Sequence, residues 1–243
     1  MGTPTAPHPV LKKYYAHEED KQPFVTALFD RTARYYDRVC GVGSLGSGQF
    51  YRRYVLRHYG LRRGMKLLDV ATGTGLVARA AVGILREPGD VVGLDPSGGM
   101  LREAQKTLSV PLVQGIVEKL PFGDDVFDFL TMGYALRHMA DLGVALGECR
   151  RVLKPGGRLL LLENSPRRWL IRVYFEKVLP QVTRLITRSA QAELLMRYYW
   201  DTIAECVPPE TILEVLRASG FVGVDRRVRA GVFSEYVGVK PAR

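Results

Sequence analysis

The chain is organised around the stretch Met65-Lys66-Leu67-Leu68-Asp69-Val70-Ala71-Thr72-Gly73-Thr74-Gly75. Leu67 to Val70 is largely apolar without alternation, which is typical of a parallel strand that is covered on both faces. Gly73 and Gly75 then interrupt the strand, and Leu76 to Leu85 follows as a helix rich in alanine and leucine. Glycine lets the backbone approach a ligand, and a helix N-terminus offers unpaired N–H groups. This strand, turn and helix therefore predict a ligand site.

The Asp69 carboxylate bears on which ligand the site holds. The residues Gly73-Thr74-Gly75-Leu76-Val77-Ala78 also fit the dinucleotide fingerprint, in which alanine can replace the third glycine. At the strand end, however, Asp69 would lie close to a diphosphate and repel it. A carboxylate suits a ligand with positive charge and no phosphate, such as S-adenosylmethionine with its sulfonium and ammonium groups. Because aspartate also caps turns and helices, a purely structural role for Asp69 stays open.

A second strand is predicted from Asp90 to Leu94, and Asp95-Pro96-Ser97 ends it. Asp95 follows Gly75 by about 20 residues, where an ionised carboxylate usually accepts hydrogen bonds from ribose hydroxyls. Ribose occurs in both S-adenosylmethionine and NAD, so Asp95 indicates a nucleoside without separating the two. Met100 places a flexible thioether near the expected adenine pocket.

The candidate catalytic groups follow the fourth predicted strand, Phe127 to Met132, in the segment Gly133-Tyr134-Ala135-Leu136-Arg137-His138-Met139. Ligands of open α/β sheets bind at such carboxyl ends of strands. With an ordinary pKa of ~6.5, His138 is suited to accept a proton from a phenol or enol at neutral pH. Arg137 is always charged and is suited to stabilise the resulting oxygen anion. A lone histidine also caps helices or packs in walls, so a structural role for His138 stays open.

The composition restricts the class of protein. A chain of 243 residues that is 47% hydrophobic suits one α/β domain, and no apolar run reaches the ~18 residues of a transmembrane helix. Cys40, Cys149 and Cys206 show no metal or disulfide spacing and indicate a reducing cytoplasm. The net charge of +10 comes mostly from dispersed arginines and is accompanied by no RNA-binding signature. Only Arg167 to Arg172 combines cations with large apolar groups, as suits an anionic lipid surface or substrate.

The order of predicted elements indicates an α/β protein with a Rossmann-like, seven-stranded, mostly parallel sheet and helices on both faces. An antiparallel strand pair closes the chain, with Gly231 in its turn. We expect residues 1–20 to be a disordered tail and residues 21–243 to form a single domain. Helical segments at 21–60 and 165–205 are expected to cover the site, with the glycine-rich stretch from Gly41 to Gly48 as a hinge.

Five stretches together resemble a known family. They are Phe29-Asp30 with Tyr36-Asp37, Leu68 to Gly75, Glu118 to Phe122, Ala135-Leu136-Arg137, and Arg151 to Arg158. On these residues the chain resembles class I S-adenosylmethionine-dependent methyltransferases, and within them the ubiquinone/menaquinone biosynthesis C-methyltransferases. The resemblance implies S-adenosylmethionine as cofactor and S-adenosylhomocysteine as product. Together with the arguments above, it implies a cofactor site formed by Tyr36, Asp69, Ala71, Thr72, Gly73, Gly75, Asp95, Pro96, Met100, Ile116, Val117, Glu118 and Met132.

The resemblance also implies a reaction, which is methyl transfer to an electron-rich carbon of a hydrophobic aromatic, quinol-like or secondary-metabolite molecule. Three departures from the family pattern concern the ligands. His138 stands where the subgroup usually has asparagine, Ile116 stands where the adenine amino group often meets an acid or amide, and Gly48-Gln49-Phe50-Tyr51-Arg52 replaces a His-Arg-Trp-like stretch.

The substrate class therefore has an alternative, an N- or O-methyltransferase that acts on a lipid headgroup or natural product. A homodimer and peripheral contact with a membrane also stay open. A nucleic-acid methyltransferase is disfavoured, because the end of the fourth strand lacks the Asn/Asp-Pro-Pro-Tyr/Phe pattern.

Overall fold

The computed structural model describes residues 5–43, 47–165 and 169–242. Its centre is a seven-stranded sheet with the strand order β3-β2-β1-β4-β5-β7-β6. The strands are β1 (Leu67–Val70), β2 (Val91–Asp95), β3 (Leu112–Gln114), β4 (Phe127–Gly133), β5 (Leu153–Asn164), β6 (Val222–Arg229) and β7 (Phe233–Val239). Strands β1 to β5 are parallel, and β7 runs antiparallel to both of its neighbours. The predicted Rossmann-like sheet with its closing antiparallel pair is confirmed.

Helices cover both faces of this sheet, as predicted. They are α1 (Lys21–Gly43), α2 (Gly48–His58), α3 (Leu76–Leu85), α4 (Gly98–Gln105), α5 (Leu142–Val152), α6 (Trp169–Val173), α7 (Leu179–Thr187), α8 (Ala190–Ala204) and α9 (Pro209–Ala218). Val77, Ala78 and Ala81 of α3 pack on one face, and Leu146 of α5 with Leu216 of α9 pack on the other. Because the central strands are covered twice, β1 is buried at all four positions. This explains its unbroken apolar pattern.

The order of the strands sets the position of the ligand site. Strand β1 lies between β2 and β4. Strands β2 and β3 lie on one side of β1 and strands β4 and β5 lie on the other, so the order of the strands reverses at β1. At such a switch point the loops after the strands diverge and leave a crevice at their carboxyl ends. The loop after β1 is the glycine turn, in which Gly73 and Gly75 have φ of +57° and +81°.

Strand β5 begins before a stretch whose sequence is typical of a turn. Lys154-Pro155-Gly156-Gly157 favours a turn, but the strand assignment runs from Leu153 to Asn164. The pairing with β4 shifts within this stretch, from Phe127 opposite Leu153 to Phe129 opposite Arg158. The intervening residues form a bulge with Gly156 at φ +76°, and the backbone of Lys240 bonds to both Gly156 and Gly157. Pairing with Lys240 therefore holds this segment at the start of β5.

The segment that precedes α1 is ordered, which corrects the prediction of a disordered tail at residues 1–20. Residues 1–4 lie outside the described residues. The Thr5 and Pro7 carbonyls accept hydrogen bonds from the Leu142 and Val207 N–H groups, at 3.0 and 2.8 Å. Tyr15 is buried in an aromatic cluster that includes Tyr198 of α8. These contacts join residues that are far apart in the sequence, so local composition carried no signal for them.

The two predicted helical segments are present. Helices α1 and α2 form the first, and α6, a π-helical turn (Tyr174–Val178), α7 and α8 form the second. Leu28 of α1 and Leu179 of α7 share a third apolar cluster, so the two segments pack on each other. The proposed hinge falls partly in α1, which extends to Gly43, and partly outside the described residues, at 44–46. Arg167 and Arg168 of the basic aromatic stretch also lie outside them.

Candidate active site

A cavity opens at the carboxyl ends of β1, β2 and β4 and is closed on one side by α1. It encloses about 750 Å³, open solvent included. Eleven of the predicted site residues line it, namely Tyr36, Ala71, Gly73, Asp95, Pro96, Met100, Ile116, Val117, Glu118, Met132 and His138. Asp69, Thr72, Gly75 and Arg137 are not among its lining residues. We call this space the cofactor cavity.

Asp95 links the ends of two strands within the cofactor cavity. Its Oδ2 accepts a hydrogen bond from the Gly73 N–H at 2.8 Å, and its Oδ1 accepts one from the Ser97 N–H at 2.8 Å. Each oxygen keeps a further lone pair. Burial raises the pKa of Asp95 to about 6, although both backbone hydrogen bonds oppose the rise. The carboxylate is thus held in place and, above pH 6, is ready to accept further hydrogen bonds.

Asp69 lies beneath the glycine turn, with both carboxylate oxygens in use. Oδ2 accepts from Thr72 Oγ1 at 2.7 Å and from the Ala78 N–H at 3.1 Å, and Oδ1 accepts from Thr131 Oγ1 at 2.8 Å. The side chain is 1% exposed. This placement corrects the expectation that Asp69 faces a cationic ligand, because the carboxylate serves the turn and the first turn of α3 instead. Sequence position alone could not show which strand-end carboxylate faces the ligand.

Thr72 and Gly75 likewise shape the turn and do not line the cavity. Thr72 donates to Asp69 through its hydroxyl and to the Leu94 carbonyl through its N–H, at 3.0 Å. Gly75 has a left-handed backbone, and a Cβ built there would come within 2.1 Å of Leu108 Cδ1. A side chain at Gly75 would therefore meet the packing between α3 and the loop before β3. These contacts give both residues a supporting role, and their contact with the ligand stays a prediction.

His138 lines the cofactor cavity with both ring nitrogens buried and without a hydrogen-bond partner. Its ring stacks on Tyr198 with centroids 5.6 Å apart and meets the edge of Phe29 at 5.5 Å. Burial lowers its pKa well below 6.5, and the charges of Arg137 and Lys21 lower it further. The imidazole is therefore neutral at pH 7. The expectation of an ordinary pKa is wrong, whereas the position of His138 beside the ligand stays a prediction.

Arg137 points away from the cofactor cavity. It is 1% exposed, forms a buried ion pair with Glu163, donates through Nε to Thr202 Oγ1 at 3.0 Å and lies over the Tyr199 ring. Burial alone would lower its pKa, but the Glu163 carboxylate more than offsets this effect and raises it. This corrects the expectation that Arg137 stabilises the substrate oxygen, because its charge is already neutralised by a partner 26 residues away in the sequence.

Further lining residues were missed or were assigned to the core. Gln22, Val25, Thr26 and Phe29 of α1 close the cofactor cavity from above, together with Tyr134 from the loop after β4. The sequence predicted this region only as a helical cover, and a helical pattern does not reveal which turn of the helix faces a cavity. Tyr134 has φ +63°, which is uncommon for a residue with a side chain and recurs at functional sites.

A second cavity adjoins the first, and Tyr36 and Tyr134 line both. It encloses about 1130 Å³, open solvent included. Its described walls are mostly apolar and aromatic, and they include Tyr51, Phe233, Ile171, Tyr174, Phe175, Leu179, Met196 and Tyr199. Arg52 is the one charged residue among the described lining residues, and Asn164 adds an amide. We call this space the aromatic cavity.

Comparison with known proteins identifies the family of this chain. The model of the ubiE/COQ5 methyltransferase family matches residues 15–240. The chain belongs to this family. The ubiquinone/menaquinone biosynthesis C-methyltransferase UbiE of Shewanella sp. strain ANA-3 is 36% identical over 225 residues, which cover 87% of this chain and 88% of that protein. The relative from Shewanella baltica strain OS155 is 35% identical over the same length. As a member of this family, the chain is a methyltransferase.

Solved structures share the fold. A SAM-dependent methyltransferase from Aquifex aeolicus superposes with a TM-score of 0.59 at 21% identity, covering 77% of this chain and 88% of that one. The cyclase SpnF superposes with a TM-score of 0.66 at 20% identity, covering 98% and 99%. At these identities the likeness concerns the fold. In the ranges that the structure describes, no helix is long and apolar enough to cross a membrane.

Proposed function

We propose that this methyltransferase transfers a methyl group from S-adenosylmethionine to an electron-rich carbon of a hydrophobic, quinol-like small molecule. The observation that carries the proposal is the pair of adjoining cavities, one polar at the strand ends and one lined by aromatic side chains, with Tyr36 and Tyr134 on their shared wall. The name of the UbiE relatives, C-methyltransferases of ubiquinone and menaquinone biosynthesis, points to the same reaction.

The residues of the cofactor cavity fit an adenosyl group. The buried Asp95 carboxylate is suited to the two ribose hydroxyls, and the backbone at Gly73 has open space in front of it. Leu94, Met100, Ile116 and Val117 form an apolar wall for the adenine ring. Ile116 offers no side-chain partner for the adenine amino group. We therefore assign the recognition of the ring to its shape and to backbone groups.

The chain's own contribution is alignment, exclusion of water and handling of a proton. S-adenosylmethionine supplies an electrophilic methyl group and leaves as the thioether S-adenosylhomocysteine. The aromatic cavity holds a flat substrate with one carbon directed towards the shared wall, as an in-line displacement requires. His138, neutral and without a partner for either ring nitrogen, accepts the proton released by the substrate. Removal of the oxygen-bound proton raises the electron density at the carbon that forms the new bond. After methyl transfer this carbon loses its own proton and the oxygen takes one up, which restores the aromatic ring.

Incubation with labelled S-adenosylmethionine and a panel of phenols, reduced quinones and amines tests this function. We expect label in a carbon-methylated phenol or quinol, as located by fragmentation of the product. An Asp95→Asn variant serves as the control for transfer that does not depend on the cofactor cavity. Transfer to amines alone, with none to any phenol or quinol, would overturn the proposal and favour the N-methyltransferase alternative.

The outer side of the second helical segment suits peripheral contact with a membrane, and we include this contact in the proposal. Trp169, Leu170 and Leu185 are 69%, 61% and 79% exposed, and Arg172 and Arg188 are exposed near them. Large apolar groups flanked by cations favour an anionic interface. Ile171 and Tyr174 of the same segment line the aromatic cavity, so contact here would bring an apolar substrate to its entrance.

Sedimentation with phosphatidylglycerol vesicles tests this membrane contact. Phosphatidylcholine vesicles and a Leu185→Ser variant serve as the controls. Equal sedimentation of the parent protein with both kinds of vesicle, and of the variant with phosphatidylglycerol vesicles, would contradict the contact.

A further inference from the structure

Arg52 stands in an environment that differs from that of the other cations near the site. Its Nε is buried and has no hydrogen-bond partner, and in the described parts of the chain no carboxylate lies within ion-pair distance of its guanidinium. Its one described side-chain contact is with Tyr134, whose ring centroid lies 5.7 Å from Cζ. Withdrawing a cation from water without a counter-ion costs free energy of folding. An unpaired, partly buried guanidinium therefore indicates a functional role.

The neighbouring charges leave Arg52 unpaired towards the aromatic cavity. The Glu235 carboxylate is already paired with Arg229 at 2.9 Å. It also accepts hydrogen bonds from the hydroxyl groups of Tyr51, at 3.0 Å, and Tyr59. Arg137 is paired with Glu163. None of the described residues that line the aromatic cavity is an aspartate or glutamate. The cavity thus presents one uncompensated positive charge in an aromatic setting of low polarity.

Asn164 and tyrosines add polar groups to this cavity. Asn164 donates its amide N–H to the Tyr199 hydroxyl and keeps a buried oxygen without a partner, which is suited to accept a hydrogen bond from a hydroxyl group of a substrate. The positive charge of Arg52 also opposes the rise in the pKa values of Tyr36 and Tyr134 that burial causes. A cationic amine would meet repulsion here, whereas an ionised oxygen would meet attraction.

We propose that Arg52 determines the substrate class of this site by binding the ionised oxygen of a phenol or enol, and that a cationic amine substrate is excluded. The inference rests on the proposed function, because it specifies the substrate of the same reaction. Arg52 approaches from α2 with its guanidinium over the Tyr134 ring, so the bound oxygen lies on the shared wall. Stabilising the anion there also keeps the adjoining ring carbon electron-rich.

The first experiment uses the unmodified protein with S-adenosylhomocysteine and 4-nitrophenol, whose ionisation is seen by absorbance. We expect the bound probe to ionise at lower pH than the free probe, and we expect 4-nitroanisole, which has no ionisable oxygen, to bind on the order of tenfold to hundredfold more weakly. An unchanged ionisation midpoint in the bound probe would overturn the proposal. This measurement needs no methyl transfer, so its failure is distinguishable from failure of the proposed function.

The second experiment assigns the effect to Arg52. In Arg52→Gln the shift of the ionisation midpoint should vanish and nitrophenol binding should fall on the order of tenfold or more, while S-adenosylhomocysteine affinity stays near that of the parent. Arg57→Gln removes the same charge from an exposed position on the same helix and should leave both quantities unchanged. Arg52→Lys keeps the charge and should retain part of the shift. Equal effects of the Arg52→Gln and Arg57→Gln variants, or no effect of either, would overturn the proposal.

Discussion

Asp69 on β1 accepts a hydrogen bond of 2.8 Å from the Thr131 hydroxyl, which lies directly opposite on β4. The same carboxylate accepts from Thr72 and from the Ala78 N–H, so it ties two strands, the glycine turn and α3 together. A carboxylate in this position stabilises the floor of the cofactor cavity without contacting its contents. The structural alternative for Asp69 is thereby favoured over ligand contact.

Replacement of Asp69 by asparagine should therefore act on the fold first. The amide keeps one acceptor oxygen but brings an N–H₂ group to donors that need acceptors, and buried hydrogen bonds to a charged group contribute about 1.5–3 kcal/mol each. We expect the free energy of unfolding to fall by roughly 2 kcal/mol. Urea unfolding measures this change, with Asp124→Asn as a control at an exposed carboxylate. A variant as stable as the parent that has lost S-adenosylhomocysteine affinity would restore the ligand-contact hypothesis.

The two glycines of the turn should respond differently to a methyl group. A Cβ at Gly75 would come within 2.1 Å of Leu108, whereas a Cβ at Gly73 meets nothing within 4 Å because it enters the cofactor cavity. Both positions have positive φ, which costs about 1–2 kcal/mol for alanine. We expect Gly75→Ala to lose roughly 2–4 kcal/mol of stability, as strain adds to overpacking.

Gly73→Ala should lose only the smaller, conformational part, about 1–2 kcal/mol, yet should bind S-adenosylhomocysteine about tenfold more weakly because the methyl group occupies ligand space. Thermal unfolding and calorimetry on the two variants, each serving as the control for the other, separate these effects. Ligand affinity that is equally reduced in both variants at equal stability would contradict the placement of Gly73 in the cavity wall.

Cofactor affinity should depend on pH through Asp95, whose pKa burial raises to about 6. The ionised carboxylate accepts hydrogen bonds from hydroxyl groups better than the protonated acid does, so binding favours the ionised form. As the pH falls below about 6, the carboxyl takes up a proton, and affinity for S-adenosylhomocysteine should fall by at most about tenfold per pH unit. Calorimetry from pH 5 to pH 8 measures this dependence.

The Asp95→Asn variant provides the control, because burial also raises the pKa of Asp69 to about 6. The variant should bind weakly and with little pH dependence over the same range. A parent-like pH dependence in Asp95→Asn would assign the effect to Asp69 or to another group, and Asp95 would then only hold the Gly73 and Ser97 backbone.

Local sequence patterns predicted the helices and strands that are stabilised by contacts near in the sequence or that are buried along their whole length. Leu76–Leu85 has the bounds that the sequence predicted, and the strand at Leu67–Val70 was predicted with the same bounds. The roles of Asp69 and Arg137 depended on Thr131 and Glu163, which lie on other strands. The role of a carboxylate or a guanidinium depends on the group that pairs with it, and the sequence does not show that pairing. Family resemblance therefore located most of the cofactor cavity but placed Arg137 and Asp69 inside it.

The last prediction concerns His138 as the group that accepts the substrate proton. His138→Asn restores the residue that is usual in the subgroup, keeps a polar group at the cavity wall and removes the imidazole. We expect kcat to fall by about 10²-fold or more, the usual scale for general acid–base catalysis, with S-adenosylhomocysteine affinity nearly unchanged. Tyr198→Phe serves as the matched control, because it keeps the ring on which His138 stacks and removes only a hydroxyl group.

The pH dependence separates a proton acceptor from a wall residue. Because burial lowers the pKa of His138 well below 6.5, its neutral form persists as the pH falls through 6.5, and the acid limb of kcat/KM should lie below that value. Measuring kcat/KM from pH 5 to pH 8, at S-adenosylmethionine concentrations that saturate the enzyme at each pH, tests this and removes the contribution of Asp95. If His138→Asn turns over at the parent rate, or shows the same acid limb as the parent, His138 is a packing residue. The substrate would then lose its proton to water, with Arg52 stabilising the anion.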